Sequence, residues 1–75
     1  MNKALREELK RRLKEYAQSF DNTYPNEAPA TETLEAYYGS FSYYASFDLR
    51  KAISFHRFSV LFKMRLADYR EKKRK

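Results

Sequence analysis

Tyr37-Tyr38-Gly39-Ser40-Phe41-Ser42-Tyr43-Tyr44-Ala45-Ser46-Phe47 is the stretch on which the fold turns. Six of these eleven residues are aromatic and the rest are Gly, Ser or Ala. Aromatic side chains favour strands, so a short hairpin is one reading. The residues just upstream favour a helix. Pro29 suits a first helical turn, Thr31 can act as an N-cap, and Glu32 complements the positive end of a helix dipole. Leu34, Tyr37, Tyr38, Phe41, Tyr44 and Ala45 then fall on one face at helical spacing, and a helix over residues 31–46 is preferred. Most of these rings then serve as core, interdigitating with small residues of neighbouring helices. Tyr43 and Phe47 fall opposite the main apolar face, where they can stack on or dock against a partner.

On the N-terminal side lies a loop, residues 21–30. Pro25 and Pro29 bias Tyr24 and Ala28 away from helical angles, and Asp21, Asn22 and Asn26 compete for backbone hydrogen bonds. Before it, Leu5, Leu9, Leu13, Tyr16, Ala17 and Phe20 form a narrow apolar stripe, which predicts a helix over residues 2–20. Glu7 with Arg11 and Glu8 with Arg12 are expected to pair across one turn, neutralising part of this helix's positive charge locally.

On the C-terminal side, Ser46 or Asp48 can cap a third helix, expected to run unbroken over residues 48–71. Its apolar residues lie in two arcs. Leu49, Ile53, Val60, Met64 and Ala67 project one way, and Phe55, Phe58, Phe62, Leu66 and Tyr69 roughly the other. A helix apolar on two sides is either buried centrally or covered by another chain. The predicted architecture is one all-α domain over residues 1–75, with three helices, the last of them long and basic, and a basic tail at 70–75. Its expected core is Leu9, Leu13, Phe20, Leu34, Tyr38, Phe41, Ile53 and Val60. Phe55, Phe58, Phe62 and Leu66 then join Tyr43 and Phe47 as candidate partner-binding residues.

Charge is sorted along the chain. Residues 1–20 carry six Lys or Arg against three Glu, residues 21–48 carry five acids and no base, and residues 49–75 carry ten bases against Asp68 and Glu71. The blocks come to +3, −5 and +8, within a total of +6. Concentrated positive charge favours an anionic partner. Arg50, Arg57 and Arg65 on the third helix, with Arg70, Lys72, Lys73, Arg74 and Lys75 of the tail, are the candidate nucleic-acid contacts.

Other functions find little support. No Cys is present, which removes disulfides and thiolate chemistry, and no cofactor is implied. His56 is the single imidazole, expected to be packed near Leu49, and Gly39 is the single glycine, so no phosphate-cradling Gly-rich loop exists. A binding protein rather than an enzyme is expected. Nucleic acid, DNA or RNA, leads as partner. The alternative is an interaction module, a homodimer or an accessory subunit or inhibitor of a larger protein, meeting an acidic or apolar protein surface through the aromatics of the second and third helices. A membrane surface ranks third. The longest apolar run, Val60-Leu61-Phe62, is too short to span a bilayer, and with no apolar leader at Met1 to Arg12 a cytoplasmic location is expected.

Overall fold

The aromatic stretch is helical. A computed structural model describes residues 1–74, in which four helices follow one another: α1 (Lys3–Thr23), α2 (Thr31–Tyr44), α3 (Phe47–Ala52) and α4 (Phe55–Lys73). There is no strand among the described residues, and the all-α class holds.

The unbroken third helix is corrected: α3 and α4 are separate. Ile53, at φ −121° and ψ 107°, leaves the helical region, and the Ser54 hydroxyl accepts from the Arg57 amide to cap α4. The Tyr38 hydroxyl donates to the Ile53 carbonyl over 2.8 Å, satisfying an acceptor that the break frees. A β-branched residue followed by a capping serine, with a phenol within reach, makes the interruption tolerable.

This break resolves the two arcs. Leu49 and Ile53 are buried from α3, whereas α4, newly oriented, buries Phe58, Phe62 and Leu66. Val60, assigned to the core from the sequence, is 44% exposed, and Met64 is 58% exposed. Phe58 occupies the centre, its ring 5.2 Å from Phe41, 5.3 Å from Tyr38, 6.0 Å from Phe62 and 6.2 Å from Tyr16. Each fully buried Phe of this kind contributes about 1.5–3 kcal/mol of burial free energy.

α1 runs three residues beyond Phe20, and the Tyr24 amide closes it on the Phe20 carbonyl. Tyr24 to Glu27 then form a turn: the Glu27 amide donates to the Tyr24 carbonyl, Pro25 holds the second position, and Asn26 takes φ 68°. Pro followed by a residue able to adopt positive φ is the signature of a type II turn. Ala30, not Thr31, sits at the N-cap of α2 and offers no side-chain cap.

Tyr16 meets Phe58, Phe20 meets Phe62 and Asp21 meets Arg70, so α1 and α4 run in the same direction. The loop, α2 and α3 form the return path between them. Glu8 and Arg12, one turn apart on α1, serve the α2–α3 junction as a pair. Arg12 Nη2 donates to the Tyr44 carbonyl at the end of α2 (2.8 Å), while the Glu8 carboxylate accepts from the Ser46 amide (3.0 Å) and hydroxyl (2.9 Å) at the start of α3. A cation thus meets a helix C-terminus and an anion the next N-terminus, each matched to the local dipole. The expected Glu8 and Arg12 pair forms at 3.2 Å; the expected Glu7 and Arg11 pair does not, since Arg11 lies 3.7 Å from Glu15 instead.

Candidate functional site

Two helices packed side by side leave a trough between their outer faces, and its chemistry follows from what stands next to the apolar stripe on each. On α1, Arg6, Lys10 and Lys14 recur every fourth residue beside Leu9 and Leu13. On α4, Arg57, Leu61 and Arg65 do the same, continued by Asp68 and Lys72. The trough has two open sections. A depression of about 430 Å³ is lined by Met1, Leu9, Leu13 and Leu61, with Arg6, Lys10, Arg57 and Arg65 around them. A second, of about 780 Å³, continues toward the helix C-termini between Lys14 and Gln18 on α1 and Asp68, Tyr69 and Lys72 on α4. Lys10 and Arg65 border both sections, so the two adjoin.

Among the described residues, Arg6, Lys10, Lys14, Arg57, Arg65 and Lys72 take part in no ion pair. Glu7 and Asp68 are the acids in the wider section, and none lines the narrower one. Six cations in no ion pair, against two acids in the wider section and none in the narrower, leave the trough positive and able to hold anions.

The sequence-derived contacts divide. Arg57, Arg65 and Lys72 line the trough, and Lys73 borders its wider section. Arg50 does not: its Nη1 donates to the Ser42 carbonyl (2.9 Å) and its guanidinium lies 5.8 Å from the Phe47 ring centre, so it braces α3 against α2. Arg70 and Lys73 are engaged by Asp21, at 2.7 Å and 2.9 Å, and Arg70 Nη2 also donates to the Tyr24 carbonyl (3.0 Å). The last turn of α1 carries no base of its own. Its C-terminus is therefore capped by cations from α4, and what reads as a free basic tail is partly structural. Arg74 is exposed, 3.9 Å from Glu71, and Lys75 lies outside the described residues.

These contacts shape the titration of three groups. Hydrogen bonds from Arg70 and Lys73 hold the Asp21 carboxyl below its ordinary value, and the same bond raises Lys73 above its own. Burial pushes Glu8 upward, but hydrogen bonds from Ser46 and Arg12 together outweigh it and leave Glu8 lowered. His56, expected to be packed, is exposed on α4.

The aromatic candidates divide as well. Phe58, Phe62 and Leu66 are core and Phe55 is half-buried, so these four do not form a docking surface. Tyr43 and Phe47 are 75% and 63% exposed, and Tyr44, assigned to the apolar face from the sequence, is 64% exposed. The Tyr43 and Tyr44 rings meet edge to face at 4.8 Å, and Lys51 as well as Arg50 lies over Phe47. This cluster sits by the Glu8 and Arg12 face of α1, on the side away from Lys10 and Lys14, and is separate from the trough.

Arg6, Lys10 and Lys14 were absent from the sequence-derived contacts. Their four-residue spacing beside the Leu9 and Leu13 stripe was visible, but its significance depends on α4 lying alongside. No helix among the described residues is long and apolar enough to cross a membrane, and none of their His, Asp and Glu side chains group in threes to hold a metal. Compared with protein-family models, with curated proteins and with solved structures, the chain matches none.

Proposed function

We propose that this protein is a non-enzymatic binding protein that holds nucleic acid along the trough between α1 and α4. One observation carries the reading: the six unpaired cations are strung out on two facing rims rather than gathered at a point. From Arg57 to Lys72 the track extends about 22 Å along α4. A linear, regularly repeating anion can engage such a track along its whole length, whereas a compact anion reaches only part of it. The contact residues are Arg6, Lys10, Lys14, Arg57, Arg65 and Lys72, with Arg70 and Lys73 kept for the fold.

Binding of labelled oligonucleotides, followed by anisotropy across a salt series, tests this. If each of the six cations neutralises one phosphate, log affinity falls against log salt with a slope of roughly −4 for single strands and −5 for duplex. No detectable binding at low salt would remove the proposal.

The exposed Tyr43, Tyr44 and Phe47 cluster favours a second reading, a protein-interaction module that uses this surface. Aromatic residues beside cations are what interfaces enrich. Capture of a protein partner that is lost on Tyr43→Ser with Phe47→Ser, alongside no oligonucleotide binding, would establish it over the first.

A further inference from the structure

We infer that the narrower section of the trough takes a base from a single strand, so that the protein prefers single-stranded nucleic acid to duplex. This rests on the nucleic-acid reading above and specifies its ligand. Phosphates need charged or polar partners and no apolar surface, yet this section has an apolar floor, formed by Leu9, Leu13 and Leu61 with Met1 at its edge. An apolar floor ringed by cations and free of carboxylates suits a ligand with an apolar face and flanking negative charge. A nucleotide whose base has left its stack is such a ligand.

A duplex hides its base faces and offers only base edges, sugars and phosphates. Single strands can splay a base outward, to be stacked on aromatic rings or on guanidinium planes. Leu61 lies midway between Arg57 and Arg65, about 6 Å along the helix from each. A base resting on Leu61 therefore has a guanidinium within reach on either side, while Arg6 and Lys10 across the trough meet the adjoining phosphates. The remaining strand continues past Lys10 and Arg65 into the wider section toward Lys14 and Lys72.

The test uses the full chain with three probes: a labelled single strand of mixed sequence, the matching duplex, and inorganic polyphosphate as competitor. At equal salt the single strand is expected to bind about tenfold more tightly, a difference of about 1.4 kcal/mol. Polyphosphate should displace the duplex more readily than the single strand. Leu61→Asn, at a half-buried position, should bring single-strand affinity down to the duplex value. Should Leu61→Asn fail to fold, Arg65→Lys keeps the charge and removes the stacking plane, and the same selective loss is expected. Equal affinity for the two forms, or an unchanged preference in a folded variant, would overturn the inference and leave nucleic-acid binding standing. Failure of both forms to bind would overturn the nucleic-acid reading itself.

Discussion

Asp21 Oδ1 accepts from Arg70 Nε over 2.7 Å where the C-terminal ends of α1 and α4 meet. An anion in the last turn of a helix opposes the dipole, and Asp21 stands there because two cations from α4 reverse that balance. Its lowered pKa sets the direction of a pH effect. The stabilisation is fully present above the ordinary aspartate value of 3.8 and is lost as pH falls through the lower folded value. Lys73 behaves oppositely: its contribution is present below 10.5 and lost as pH rises through the raised folded value. Thermal melts should accordingly change little between these limits and fall outside both. Asp21→Asn should lower the melting temperature at neutral pH by several degrees and weaken both pH dependences, with a residual acid effect from Glu8. A variant melting like the wild type at pH 7 would show that the clasp contributes nothing.

Gly39 gives a prediction of opposite sign. It lies exposed within α2 at ordinary helical angles, and a Cβ there would meet no atom within 4 Å. Gly39→Ala should therefore stabilise the protein by about 0.5–1 kcal/mol, measured by urea denaturation, through helix propensity and reduced unfolded-state entropy. Destabilisation would mean that the added methyl is not accommodated at this position and would overturn the prediction.

The assignment of the two arcs is open to direct measurement. Phe58→Ala removes the ring at the centre of the aromatic core and should cost about 3–5 kcal/mol. Val60→Ala, two residues away, should change stability by less than about 0.5 kcal/mol. Comparable losses would mean that Val60 is covered by something, a second copy included.

Cations of the trough and cations of the clasp should separate in a salt titration. Lys10→Gln with Arg65→Gln removes two contacts and should reduce the slope for single strands by roughly 1.4 while leaving the melting temperature nearly unchanged. Arg70→Gln should do the reverse, lowering the melting temperature with little effect on the slope. If Arg70→Gln instead weakens binding more than the double variant, the tail and not the trough is the contact surface.

Much of this fold could be read from period alone. Leu9, Leu13, Phe20, Leu34, Phe41 and Ile53 are buried as their spacing indicates. The helical reading of Tyr37 to Phe47 over a hairpin also held, with the helix itself ending at Tyr44. What spacing could not supply was the break at Ile53 and Ser54. A serine inside an apolar helical pattern costs little, and the break it caps is also supported by Tyr38 reaching the Ile53 carbonyl, a contact between residues fifteen apart. The misplacement of Val60 followed from that single omission, because the interruption resets the direction of every later side chain. The candidate site was legible on one rim only: Arg57 and Arg65 stood out by charge, while Arg6 and Lys10 counted only once α1 lay beside α4. Arg70 and Lys73 read as free cations for the same reason, since their partner Asp21 belonged to a distant block.

The parallel pairing of α1 with α4 bears on how the chain folds as it is made. Asp21 and Arg70 are 49 residues apart, and the ring of Phe20 waits for that of Phe62. At usual elongation rates the first helix is made several seconds before the helix that covers its leucine stripe. Helical proteins ordinarily fold through near neighbours, and a closure between distant segments such as this one slows folding. Arg6, Lys10 and Lys14 beside that stripe carry their charge throughout that interval, and like charge opposes the association of half-made chains.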